Sequence, residues 1–326
     1  MNYPFDRLSW LEHEGHLRRK LLFLDLNFWI NLSEPKNPSY ELLKALLLRL
    51  VETGKLICPV SPSILMELFK RTRGTHRDNT SQLMDQLSKG LALRGVDTTF
   101  RHEFAAALDG RQAERQVAYS YFRDTFPPVF TLLFPEQGME MSITDFINGR
   151  WSSVLETNAS GIEQRLVKGA QQENEWRRDN KSTRKKVEEE EWIGTFRALN
   201  PAMLIVFYEK SEQDATLRKL FLETQNKILA RSYHTLRREL RDKLDSCRSF
   251  WCHYQCMTEL RWHKPVREND IWDFLHVAMA VPYVDCLATD GSAKSIVCAG
   301  TLGMAKKFGT RVISQENDLI DWLKDM

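Results

Sequence analysis

The stretch LLFLDLNFWI, residues 21–30, decides how the chain is read. It is apolar apart from Asp25 and Asn27, and Asp25 is its only charge. An unbroken apolar run of this kind fits a strand buried on both faces, here running into a helix. Working outward, Leu42, Leu43, Leu46, Leu47 and Leu50 recur at three-to-four spacing and predict an amphipathic helix over 39–53, ended by Gly54. LICPV at 56–60 predicts a second buried strand. Ser61-Pro62 then supplies an N-cap and a first-turn proline for a helix over 62–72. The order β-α-β-α belongs to a parallel sheet with helices packed on it. It returns late in the sequence as a helix over 271–281 stopped by Pro282, a strand over 283–289 (YVDCLAT) and a helix over 292–307. A strand over 311–314 (RVIS) and a helix over 316–325 follow.

Between 101 and 265 the alternation disappears and charged helical patterns take over, as in LARSYHTLRRELRDKLDSC at 229–247. Pro127-Pro128, Pro135 and Pro201 are expected to break this region into separate helices. The chain's length, 326 residues, allows one large domain or two ordinary ones. With 42% hydrophobic and 28% charged residues, the composition is that of a globular protein. Lys+Arg total 46 and Asp+Glu 44, a net charge of +2, which excludes a protein that coats polyanions over its whole surface but leaves room for a local basic groove. No apolar run reaches the roughly 18 residues of a membrane span, so no membrane association is expected. The first twenty residues are too charged for a secretory signal. The cysteines at 58, 247, 252, 256, 286 and 298 form no CxxC pairs and are expected to be reduced thiols of a cytoplasmic protein. Neither GxxxxGK[ST] nor GxGxxG occurs, so nucleotide-driven and dinucleotide redox chemistry have no support.

Four carboxylates stand at matching places in this pattern. Asp25 ends the first strand, and Glu67 lies in the helix after the second. Asp273 is near the start of the helix before the third strand, and Asp290 ends that strand. Ligands of open parallel sheets gather at the carboxyl ends of the strands. Acids converging there do not all ionise without a counter-charge, and all-oxygen ligation selects Mg2+ or Mn2+ over zinc. Each acid also has a plainer reading. Asp290 would cap the helix that follows, Asp273 would pair with Asp270 at a helix start, and Glu67 would lie on a solvated face. Asp25 is harder to explain so, because burying an unpaired carboxylate is costly.

The segments LLFLDLNFWINL, SPSILMELFKR and NDIWDFLHVAMAVPYVDCLATDGS resemble the three acidic motifs of PIN-domain ribonucleases, in the same order. The resemblance covers roughly 20–75 and 268–326. It implies an α/β, PIN-like three-layer fold with a short, mostly parallel central sheet of about four to five strands, plus a mainly α-helical insertion. The nuclease domain would be discontinuous, over 1–100 and 266–326, with the insertion over 101–265. Carried over by position, the resemblance implies that Asp25, Glu67, Asp273 and Asp290 hold the metal and are catalytic. Asn27, Thr289, Asp270 and Asp285 would support them, with Asp270 competing with Asp273 for the third ligand role. The implied activity is metal-dependent endonucleolytic hydrolysis of single-stranded RNA. The alternatives are a structure-selective DNA nuclease and a catalytically inactive RNA-binding or assembly module. An antitoxin or other protein partner is compatible with the family, and the sequence does not set the oligomeric state.

The expected nucleic-acid path is basic. From Lys227 to Arg267 there are ten Lys/Arg against four acids, so the local charge is 10 − 4 = +6. Arg237, Arg238, Arg241, Arg248, Lys264 and Arg267 belong to this group, and Tyr233, Phe250, Trp251, Tyr254 and Trp262 are interleaved with them. Cations that hold phosphates and rings that stack on bases suit a single strand; the plainer reading is an amphipathic helix with core aromatics. Lys70, Arg71, Arg73, His76 and Arg77 form a second basic group after Glu67. Cys252, His253 and Cys256 hint at zinc, but their spacing is not that of a finger or ribbon, and buried structural cysteines are expected.

Overall fold

The structure, a computed structural model, describes residues 18–69, 74–114, 118–121, 142–148, 164–165, 167–169, 171–172, 175–176, 183–212, 214–263, 268–298 and 303–326. In chain order its elements begin with β1 (Lys20–Leu24), α1 (Leu26–Ser33), α2 (Pro38–Glu52), β2 (Leu56–Ile57), α3 (Pro62–Phe69), α4 (Thr75–Ser88) and β3 (Leu91–Leu93). Next come α5 (Val96–Leu108), β4 (Tyr119–Tyr121), α6 (Ile143–Asn148), α7 (Arg184–Ser211), α8 (Ala215–Leu229), α9 (Tyr233–Ser246) and α10 (Arg248–His263). The last are α11 (Glu268–Ala280), β5 (Cys286–Ala288), α12 (Gly291–Val297), α13 (Met304–Phe308), β6 (Arg311–Ile313) and α14 (Glu316–Lys324). The fold is α/β, mostly helical, with one four-stranded parallel sheet.

The described residues divide into two compact units. One lies within Met1–Arg94, Ala118–Leu166 and Tyr283–Met326, the other within Gly95–Val117 and Val167–Pro282. These limits differ from those expected at 100/101 and 265/266 for local reasons. β4 belongs to the first unit because it pairs antiparallel with β3. So does α6, whose first N–H groups are bound by Asp85 of α4 (Ile143 N–H at 2.6 Å, Thr144 N–H at 3.0 Å). α11 belongs to the second unit, packed against α10.

In the first unit the sheet order is β2-β1-β5-β6, all parallel. β1 lies inside, and Leu21, Leu22, Phe23 and Leu24 are all buried. This is why the run shows no polar alternation: helices cover both faces of an inner parallel strand. A single parallel bridge, Val60 to Ala92, joins the segment after β2 to β3. α2 starts where Asn37 accepts from the Tyr40 N–H (3.0 Å) and Pro38 opens the first turn. Leu43, Leu46, Leu47 and Leu50 face the core, whereas Leu42 is 47% exposed. The helix expected over 292–307 is two helices, α12 and α13. Gly303, with φ +53°, takes a left-handed conformation before α13, which a continuous helix does not allow.

The second unit is helical. α7 packs against α5, α8 and α10, and Trp192, Phe196, Phe207, Phe100, Phe104, Phe250 and Tyr254 form its core. α9 buries Leu236, Leu240 and Leu244, four residues apart on one face. Pro201 does not end a helix as expected; it lies inside the 28-residue α7. Loss of one backbone hydrogen bond there is offset by the burial of Leu199, Ala202 and Met203 on either side of it. Pro127, Pro128 and Pro135 lie outside the described residues. Glu103 accepts from the Ser249 N–H (2.9 Å) at the start of α10, and Arg184 pairs with the buried Glu259.

Cys252 and Cys256 are buried on α10, and burial raises the Cys256 thiol pKa. Between them burial depresses the His253 imidazole to about 4. A histidine kept neutral in the fold contributes stability that is complete above its unfolded pKa near 6.5 and is lost as pH falls toward 4. His253→Gln should therefore flatten the fall of the melting temperature between pH 6.5 and 4; equal slopes for both proteins would refute this. None of the six cysteines forms a disulfide. Among the described residues, no helix is long and apolar enough to cross a membrane.

Candidate functional site

The sheet order places the topological switch point between β1 and β5. From β1 the chain moves outward to β2 on one side, and β5 then joins β1 on the other. The register pairs Leu24 with Ala288, so both strands end together. The Asp25 N–H donates to the Ala288 carbonyl (2.9 Å), and the Thr289 N–H donates to the Ile313 carbonyl on β6 (2.9 Å). Asp25, Thr289 and Asp290 thus stand side by side where the strands leave the sheet, with neighbouring strands about 4.8 Å apart.

Both aspartates cap helices. Asp25 is buried, and its Oδ1 accepts from the Phe28 N–H (3.0 Å) at the start of α1. Asp290 is part-buried, and its Oδ1 accepts from the Ala293 N–H (2.7 Å) at the start of α12. The plainer reading of Asp290 is therefore correct as far as it goes, and it extends to Asp25. Ser61 does the same after β2, accepting from the Ile64 N–H (3.3 Å) and lying 3.0 Å from the Ser63 hydroxyl. Three adjacent strands thus each deliver a capping side chain to one edge. A helix N-terminus favours negative charge, which partly offsets the cost of burying the Asp25 carboxylate.

The sequence reading missed a second group on this edge. Tyr40, in the first turn of α2, sets its ring 6.2 Å from that of Phe28. Burial and the Glu316 charge, then Asp25, raise the Tyr40 phenol pKa, against an opposing hydrogen bond from Asn31. Glu316 opens α14 immediately after β6. The signal for Glu316 was present, an acid two residues after the strand RVIS, but no motif drew attention to it.

The remaining expected residues distribute as follows. Glu67 is part-buried on α3 of the first unit, and Asn27 is exposed in the first turn of α1. Thr289 is buried. Asp273 is part-buried on α11 of the second unit. Asp270 is on the same helix, and its side chain lies outside the described residues. Asp285 is a correction. It precedes β5 at the amino end of the sheet, opposite to Asp25 and Asp290. There it accepts from the Leu21 N–H (2.8 Å) and pairs with Lys20 (3.7 Å), which makes it a sheet-edge residue.

In the basic region the structure shows ion pairs. Arg237 pairs with Glu189 (3.0 Å), and Arg241 with Asp245 (3.2 Å) and Glu188 (3.8 Å). The acidic run on α7 thus neutralises the basic face of α9 within one unit. Phe250 and Tyr254 are core residues, not stacking platforms. Arg238 is exposed, and Arg248 is part-buried with its Nε lacking a hydrogen-bond partner. Arg71, Arg73, Lys264 and Arg267 lie outside the described residues.

The donors at the switch point suit a hard divalent cation, since Asp25 and Asp290 offer only oxygen. Among the described residues, however, no three His, Cys, Asp or Glu side chains are grouped closely enough to hold a metal ion. No protein-family model matches the chain, and neither a curated protein nor a solved structure matches it significantly.

Proposed function

We propose that the protein is a metal-dependent nuclease of the PIN-like type that hydrolyses phosphodiester bonds of single-stranded RNA. One observation carries the reading: Asp25 and Asp290 leave the two strands that flank the switch point, where open α/β sheets gather ligands. Mg2+ or Mn2+, when bound, would supply phosphate neutralisation and a water of lowered pKa. The side chains of Asp25 and Asp290 would hold the ion, with Glu67 the further acid of the same unit. The fold's own contribution is to fix the two carboxylates through the Phe28 and Ala293 N–H groups. RNA, and the roles of Asp273 and Asp270, are carried by the motif resemblance; Asp273→Asn in the assay below tests that part.

Purified protein incubated with labelled single-stranded RNA, single-stranded DNA or duplex, with Mg2+, Mn2+ or EDTA, is expected to cut RNA only when metal is present. Selective cutting of DNA would move the assignment to a structure-selective DNA nuclease. The capping bonds favour a second reading, because they already give both aspartates a structural role. In it the protein is a non-catalytic module that retains the fold. RNA binding without cutting at any metal concentration would support that reading.

A further inference from the structure

We propose that Tyr40 is a substrate-contacting residue of this edge, its hydroxyl donating to a phosphate oxygen of a single strand laid across the carboxyl ends of the strands. This rests on the nucleic-acid reading above. The topology puts Tyr40 there. α2 must run back along the sheet to enter the parallel β2, so its first turn lies at the carboxyl edge. α14 starts at the same edge after β6 and packs on α2.

The local chemistry favours the role. The Tyr40 ring faces Phe28, whose N–H is held by Asp25, so one turn of α1 orients both groups. The side chain is half-buried, with part of it left open to solvent. A phenol is uncharged at neutral pH, so Tyr40 offers a neutral donor. Carboxylates repel a polyanion. A neutral O–H among them donates to a phosphate oxygen without a charge clash, and a hydrogen bond to a charged group is the stronger kind.

Tyr40→Phe keeps the ring on Phe28 and removes only the hydroxyl. Affinity for a fluorescently labelled single-stranded RNA, measured by anisotropy in Ca2+ with the full chain, should fall about tenfold. In the cleavage assay KM should rise similarly, with kcat within about twofold and an unchanged melting temperature. Wild-type affinity in Tyr40→Phe would overturn the proposal, as would equal losses of kcat and melting temperature, which indicate a structural role. If the wild type binds RNA without cutting it, the nuclease reading fails while the binding comparison still decides Tyr40. If the wild type binds no RNA, both fail.

Discussion

Asp25→Asn is expected to abolish metal-dependent cleavage while leaving the fold intact. Asparagine caps a helix as well as aspartate does, so its amide oxygen can still accept the Phe28 N–H that Asp25 now accepts at 3.0 Å. The substitution removes the charge and replaces one carboxylate oxygen with an amide NH2, on a side chain that is 7% exposed. Holding a divalent ion at the reacting phosphate contributes several kcal/mol to a hydrolytic transition state, and each ~1.4 kcal/mol is tenfold in rate. Cleavage should therefore fall at least about a hundredfold, and Asp290→Asn should behave alike because Asp290 caps α12 in the same way. Asp25→Ala is the contrasting control. It loses the cap as well and should cost about 1 kcal/mol of stability in addition. Equal cleavage by wild type and Asp25→Asn would show that the carboxylate serves the helix alone.

The largest effect on stability is expected from Trp192→Ala in the second unit. Trp192 is fully buried, stacked on Phe196 (centroids 5.6 Å apart) and edge-on to Phe250 (5.3 Å), and its indole N–H donates to Asp245 (3.1 Å). Removing so large a side chain from a helical core leaves a cavity that the surrounding helices cannot refill, at a cost of about 3–5 kcal/mol. Trp192→Phe keeps a ring and loses the Asp245 bond and part of the volume, so about 1–2 kcal/mol is expected. Urea unfolding followed by far-ultraviolet circular dichroism would give both values. A Trp192→Ala protein as stable as the wild type would contradict this core.

Where sequence and structure agree, a strong local signal coincides with a global requirement. LLFLDL is legible as an inner parallel strand because nothing before its aspartate tolerates water, and Ser61-Pro62 announces a helix start by its own chemistry. Leu91–Leu93 was not legible, since three apolar residues between helices carry no period. Pro201 misled because burial on both sides outweighs one missing hydrogen bond, and that balance is invisible locally. The pairing of the basic face of α9 was not legible because its partner, the Glu188–Glu189 stretch, comes far earlier in the chain. Asp285 misled because only the short β5 separates the two ends of the sheet, and nearness to a motif says nothing about which end a side chain serves. Asp25 and Asp290 were legible as edge residues from strand order alone, whereas their capping bonds required the structure.

The most direct test of the central claim is Mn2+ binding followed by electron paramagnetic resonance on wild type, Asp25→Asn and Asp290→Asn at equal concentration. The account predicts that wild type removes free Mn2+ signal with saturable stoichiometry and that each variant alone loses that binding while keeping its melting temperature. Unchanged Mn2+ binding in both variants, or none in the wild type, would contradict it.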